Sequence, residues 1–375
     1  MKQITILAPL PAPGRRQRLA KMIPQYLSVG ISVRFRGWDR VRGEAVQWKW
    51  TGAPIDEAII LSGGGHSNRL ARAMYPIWML RVFFFVLLAS ERQTFHCLGW
   101  ETAFPATLAA LLRRHPIIFD DADRFSMILG LTGALRSVVM ALEDWTAARS
   151  ALHIIPSRSR HTKQLNTDFV LPNTPTAKDL DLAAAKVAEK PAGFVVYANG
   201  WLPDTRGALL IAEAFKRFAN GKSDVALLIA GFVPDEIRDT VIDAEYVNYK
   251  GEMPQVEALA LYKASDVLLT FYDPAVEINR YAEPNKWGDA MCFGVPFIVN
   301  SEVETAREFI DAGVAFAVPY GDPDALAALL TELYENPERL QSAVRNFGAL
   351  PEIVSAFDAR FQEAIDQVFP RERRN

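Results

Sequence analysis

Short apolar runs alternate with helical patterns along most of the chain. In the amino-terminal half, 4–8, 32–36, 58–61, 95–98, 116–119 and 152–156 have the length and the β-branched or aromatic content of buried strands. Helical patterns over 18–28, 67–90, 102–114 and 132–150 separate them. The order then starts again: strand runs at 193–198, 225–230, 246–249, 267–270, 296–300 and 315–318 alternate with helical stretches at 206–218, 255–264, 285–293 and 324–335. Alternation of this kind builds a parallel sheet covered by helices on both faces. The expected fold is therefore α/β, with two doubly wound, Rossmann-like domains and a ligand in the cleft between them, at the carboxyl ends of the strands.

The domain limits follow from the breaks in the pattern. Residues 1–172 form the first domain and 193–350 the second, and 173–192, flanked by Pro172 and containing Pro175 and Pro191, read as the connection. The last stretch, 351–375, is expected to be a helix that returns to the first domain.

Composition narrows the function. With 41 Lys+Arg against 44 Asp+Glu in 375 residues, the net charge of −3 excludes a dedicated nucleic-acid binder, which needs a concentrated positive surface. Two cysteines, Cys97 and Cys292, build neither a disulfide framework nor a four-ligand zinc site. His66, His96, His115, His153 and His161 are scattered, so no metal-ligand spacing is present and no metal is expected. The apolar start, 4–7, is broken at Pro9, Pro11 and Pro13, too soon for a secretory signal, so a cytoplasmic location is expected. Residues 75–89, YPIWMLRVFFFVLLA, are interrupted by Arg81 and too short to span a bilayer. Two readings stay open: a helix buried in the core, or one whose Trp78, Phe83, Phe84 and Phe85 dip into the inner face of the plasma membrane.

Candidate chemistry concentrates in the second domain. In Tyr281-Ala282-Glu283-Pro284-Asn285-Lys286-Trp287-Gly288-Asp289, Pro284 opens a helix whose first N–H groups and dipole, with the Lys286 ammonium, attract an anion. Asp289 shares a face with Asn285 and Lys286 and suits hydroxyl groups attached to that anion. A second anion-accepting corner is Asn199-Gly200 through Arg206-Gly207, between a strand and a helix. Two such corners fit one diphosphate. The alternative is a plain helix start with surface charges.

These residues carry a resemblance. EPNKWGDAMCFGVPFIVN and NGWLPDTRG resemble the P-N-K-x-x-E-A-M-x-x-G-x-P-V-I segment and the G-x-L-x-x-x-K/R-G loop of the group 1 glycosyltransferases of bacterial polysaccharide synthesis, which have the GT-B fold. LLIAG, YKGEMPQVEALALYKASDVLL and PSRSRHTKQL…VLPNTP support it, in the family's order over about 220 residues. The resemblance implies transfer of a sugar from a nucleoside-diphosphate donor, UDP-linked rather than GDP-linked, to a saccharide acceptor, including one linked to a polyprenyl diphosphate, with no cofactor. It implies that Arg206 and Lys286 hold the diphosphate, that Asn199, Gly200 and Asn285 assist, that Asp289 binds ribose hydroxyls, and that Tyr249 and Lys250 flank the base. The family's two glutamates eight residues apart are replaced by Tyr281 and Asp289, and Glu283 or Glu277 stands near enough to contact the donor sugar or else faces solvent.

The acidic run Asp120-Asp121-Ala122-Asp123 follows a strand of the first domain and resembles the family's D-x-x-D loop, more loosely that of the xanthan glucuronosyltransferase, whose base is an aspartate. An inverting transfer needs a carboxylate to take the acceptor's proton. Asp123 is the expected base and Asp120 and Asp121 its orienting partners; a helix N-cap cluster is the alternative. Trp100 and Glu101 are expected either to line the acceptor pocket or to be partly buried in the first domain, and Arg15, Arg16 and Arg18 to contact a carrier phosphate or to be solvated. A non-catalytic nucleotide-sugar binder and a sugar-nucleotide epimerase share the fold. An NAD oxidoreductase is disfavoured because no G-x-G-x-x-G follows the first strand.

Overall fold

The structure, a computed structural model, describes residues 2–66, 69–128, 131–158, 161, 163–350 and 356–370. It divides into two compact units, Met1–Pro172 with Asp358–Asn375, and Asn173–Phe357.

The first unit is built on seven parallel strands: β1 (Gln3–Ala8), β2 (Ser32–Asp39), β3 (Asp56–Ser62), β4 (Thr94–Leu98), β5 (Ile117–Asp120), β6 (Leu152–Ile155) and β7 (Asp168–Val170). Their order is β3-β2-β1-β4-β5-β6-β7. The short β7 has no pattern of its own; it is recruited by β6, with His153 in register with Asp168. Because the order reverses between β1 and β4, the loops after these two strands diverge and leave a crevice at their carboxyl ends.

The helix Arg69–Leu87 shows why 75–89 read two ways. Trp78, Val82 and Val86, spaced by four, are fully buried; Trp78 stacks on Trp38 at 5.9 Å between ring centroids and donates to Thr102 Oγ1 at 3.0 Å. Ile77, Leu80, Phe84 and Leu88 are exposed on the other side. Trp78 thus belongs to the core and not to a membrane-facing set. Among the described residues no helix is long and apolar enough to cross a membrane.

The second unit has six parallel strands, β8 (Phe194–Trp201), β9 (Val225–Phe232), β10 (Val247–Tyr249), β11 (Val267–Thr270), β12 (Phe297–Asn300) and β13 (Ala315–Val318), in the order β10-β9-β8-β11-β12-β13. Successive residues face opposite layers. Val196, Leu227 and Leu269 pack on Phe215, Phe218, Leu326 and Leu330, while Val195, Leu228 and Leu268 pack on Trp287, Met291 and Tyr262. Continuous apolar strands are what a sheet buried on both faces requires. The order reverses between β8 and β11, again placing a crevice there.

The expected connection at 173–192 is itself part of the second unit. It holds the helix Ala177–Ala185, capped by Thr176, whose Oγ1 accepts from the Asp179 N–H at 3.1 Å. Ala183 joins the second core, and Gly288 lets the chain approach so closely that a Cβ there would lie 2.4 Å from the Asn173 carbonyl. At the other end the helix Phe357–Val368 enters the first unit. There Phe361 meets Tyr26 edge-on at 5.2 Å and Arg360 Nε donates to the Val170 carbonyl at 3.1 Å.

Candidate functional site

In the second unit the candidate donor residues gather at the carboxyl end of β8. The chain leaves the sheet through Gly200 (φ 88°), and Gly231 beside it on β9 has φ 122°. A Cβ on Gly231 would lie 2.1 Å from the Gly200 carbonyl, so a side chain at this crossing is sterically barred. A Cβ on Gly200 would lie 3.2 Å from Lys286 Cε: the lysine reaches across from the helix Asn285–Cys292 and covers this turn. Arg206 sits in the turn Asp204–Arg206 and lays its guanidinium over the Tyr272 ring at 4.4 Å. Gly207 (φ 74°) closes the turn where a Cβ would strike Phe271.

Electrostatics tie these groups together. Burial, then the positive charge of Arg206, pushes the Lys286 ammonium down to about 8, against the pull of Asp289. An anion beside the Lys286 ammonium would offset the effect of the Arg206 charge on it. The charge of Glu283 acts on Tyr272, the ring beneath Arg206. Asp289 is buried, and its charge acts on Tyr197 and Tyr262. Asn199 is turned inward, donating to Tyr262 Oη at 3.0 Å, and so supports the floor of the corner. Tyr249 donates to the Gly231 carbonyl at 3.0 Å, which places it at the adjoining edge beside exposed Lys250. Tyr281, where the family's first glutamate stands, faces Glu304.

In the first unit the three aspartates do not act as one group. Asp120, the last residue of β5, is buried against Arg18, whose Nε lies 3.0 Å from its Oδ2, with His96 Nε2 at 3.7 Å. Burial opposes its ionisation, but the Arg18 charge and His96 hold the carboxyl well below the usual range. Arg18 is therefore a buried structural partner and not a solvated charge. Asp121 turns the other way, toward His153 and His161. Asp123 is partly exposed and pairs with Arg16 at 3.1 Å. The split arises where β5 ends: Asp120 is its last residue, and Asp121 and Asp123 lie in the turn that follows.

Glu101 has the environment that the aspartates lack. It lies in the first turn of the helix Trp100–Arg113, after Gly99 (φ 75°), whose missing Cβ leaves room for the carboxylate 2.6 Å away. It shares a narrow cavity with Pro9, Leu10, Arg16, Arg18, Asp120 and Asp123, at the β1/β4 reversal. Burial pushes its carboxyl up to about 7, with Asp121 adding and Arg40 and Arg16 opposing. A carboxyl that ionises near neutrality suits proton transfer. Sequence left Glu101 between pocket lining and partial burial; in the structure it is buried and lines this cavity.

Folding also gathers histidines that the sequence scatters. Asp121, His153 and His161 bring their ligand-type atoms within 4.8 Å of one another, which corrects the expectation that the histidines form no cluster.

Residues 193–336 match the family model described as Glycosyl transferases group 1. The carboxyl-terminal unit is a group 1 glycosyltransferase domain. Both corners that hold Arg206 and Lys286 fall inside the matched segment. A sequence comparison with curated proteins finds no match. The whole chain is similar in fold to the sucrose-phosphate synthase of Thermosynechococcus elongatus (TM-score 0.66, 13% identity, covering 98% of each chain). It is similar to an E. coli structure described as trehalose-6-phosphate bound with UDP-2-fluoro glucose (TM-score 0.68, 11% identity, 99% of this chain and 100% of that one). A UDP-GlcNAc 2-epimerase from Neisseria meningitidis bound to UDP-GlcNAc is also similar (TM-score 0.62, 13% identity, 99% and 100%). The chain has the GT-B fold, with two parallel-sheet Rossmann-like domains.

Proposed function

We propose that the protein transfers a sugar from a UDP-sugar to a hydroxyl of a saccharide acceptor, with inversion at the anomeric carbon, in the synthesis of an exopolysaccharide, capsule or lipopolysaccharide. The observation that carries this reading is the coupling of Arg206 and Lys286 at the carboxyl end of β8. In the reaction the acceptor oxygen attacks the anomeric carbon as Glu101 takes its proton, and the bond from that carbon to the diphosphate oxygen breaks. Charge grows on the leaving UDP, so fixed cations at that point stabilise the transition state more than the ground state. Arg206 and Lys286 supply them without a requirement for a metal at the diphosphate. Asn285 and the backbone at Gly200 assist, Asp289 takes the ribose hydroxyls, and Tyr249 and Lys250 border the base. Among the acidic residues of the first unit, burial favours Glu101 as base over Asp123, which the Arg16 guanidinium already neutralises.

The direct test is incubation with UDP- and GDP-sugars and a lipid-linked saccharide. UDP release that depends on acceptor, with an inverted anomeric centre in the product, is the expected result. Conversion of UDP-GlcNAc into its 2-epimer without acceptor contradicts the reading, and binding of UDP with no turnover on any donor points to the non-catalytic alternative.

The two titrations set a narrow pH window. Activity requires Glu101 ionised and Lys286 protonated, so kcat/KM is expected to rise with pH through about 7 and to fall through about 8. Glu101 is faced by Arg16, Arg40, Arg18, Asp120, Asp121 and Asp123. Lys286→Arg keeps its charge beyond pH 12 and is expected to remove the falling limb. A descending limb unchanged in Lys286→Arg assigns it to another group.

For a lipid-linked acceptor we also propose that the exposed stripe Ile77, Leu80, Phe84 and Leu88, with Arg81 beside it, rests on an anionic membrane surface. Burying one such side chain is worth about 1.5–3 kcal/mol. Replacing Leu80 and Phe84 by glutamate is then expected to weaken co-sedimentation with phosphatidylglycerol vesicles at least tenfold; undiminished binding removes this contact.

A further inference from the structure

We propose that Asp121, His153 and His161 form a binding site for one divalent transition-metal ion, zinc being the best match, separate from the donor-binding corner of the other unit. Asp121 Oδ1, His153 Nε2 and His161 Nε2 are buried without a hydrogen-bond partner, and one ligand-type atom from each of the three residues lies within 4.8 Å of the others. His153 Nε2 and His161 Nε2 lie 3.5 and 3.9 Å from Asp121 Oδ2, too far for good hydrogen bonds. Bonds of ~2.1 Å to a tetrahedral centre separate the ligand atoms by about 3.4 Å, so the observed spacing is that of a site before it contracts on its ion. Buried polar atoms in native proteins are nearly always satisfied, and one cation supplies a partner to all three.

The surroundings have the form that a metal site takes. His153 lies within β6, in register with Phe119 of β5 and Asp168 of β7, so its ring is fixed by the sheet. Its Nδ1 lies 2.7 Å from Asp168 Oδ1, while Asp168 Oδ2 accepts the Leu165 N–H at 2.8 Å. With the Nδ1 proton held by that carboxylate, Nε2 presents its lone pair to the cluster, the carboxylate–histidine arrangement that orients metal ligands. The Asp121 backbone is anchored by its N–H on the Ile154 carbonyl at 2.8 Å, and the His161 ring stands edge-on to His153 at 5.2 Å. Two imidazoles and one carboxylate are a borderline-soft N₂O donor set, favouring zinc over magnesium or calcium. They leave one tetrahedral position to water or a further ligand.

The test uses the full, untagged chain, stripped with a chelator and titrated with Co²⁺ and then Zn²⁺. One Co²⁺ per chain with a tetrahedral visible spectrum, displaced by Zn²⁺, is the expected result. His161→Gln and Asp121→Asn are each expected to lower the affinity at least a hundredfold, and Asp168→Asn ten- to a hundredfold. His66→Gln, remote on the His66–Glu44 pair, leaves uptake unchanged. His161 carries the decision, since its Nε2 makes no hydrogen bond to lose and circular dichroism verifies that the variant is folded. Absence of stoichiometric uptake by the parent chain, or uptake that survives His161→Gln, overturns the proposal.

Discussion

Replacing Glu101 by glutamine is expected to lower kcat by 10²- to 10⁴-fold, the usual worth of a general base, while UDP affinity stays within twofold. The same substitution is expected to make the protein more stable at pH 8. In the folded chain the carboxyl ionises near 7, against about 4.5 for an unburied glutamate, so the fold prefers the protonated form. Stability contributed by this group is full below about pH 4.5, falls as the pH rises toward 7, and is lacking above it. The difference is about 3 kcal/mol. Glutamine cannot ionise and keeps the shape, so a thermal melt of Glu101→Gln at pH 8 should lie above that of the parent, and the two should converge at pH 4.5. If Glu101 is the base, it costs stability in the pH range in which it works. Full activity in Glu101→Gln with loss in Asp123→Asn returns the base to the acidic loop after β5.

Removing either cation of the proposed donor corner is the second large effect. A hydrogen bond to a charged group is worth about 1.5–3 kcal/mol, and more where charge develops in the transition state. Arg206→Ala and Lys286→Ala are each expected to lower kcat/KM by 10²- to 10³-fold. The two losses should not add, because each cation raises the energy of the other in the free protein. Arg206→Ala also relieves Lys286, so its descending pH limb should move to higher pH. Steady-state kinetics of the two single variants and the double variant read all three results. Losses that add, with an unmoved limb, would mean that the two side chains do not share a ligand.

The strands and their parallel arrangement were legible because each is a short apolar run between helical patterns, as at 225–230 and 267–270. The turns at Gly200 and Gly207 and the helix start after Pro284 were legible because they leave a local signature. β7 was not, since three residues stabilised by pairing with β6 have no periodicity. Nor was the packing of 173–192 into the second unit, where Ala183 and Gly288 matter through contacts far apart in sequence. The division of labour among Asp120, Asp121 and Asp123 was hidden for the same reason: Arg18, His153 and Arg16 reach them from other elements. For Glu101 the sequence offered burial as one of two readings, and the fold decides for it.

The most direct measurement is calorimetric titration of UDP and of uridine into the parent chain and into the Arg206→Ala/Lys286→Ala double variant. If these cations hold the pyrophosphate, the parent binds UDP at least a hundredfold more tightly than uridine, and the double variant loses that preference while keeping its affinity for uridine. An undiminished preference for UDP in the double variant contradicts the account.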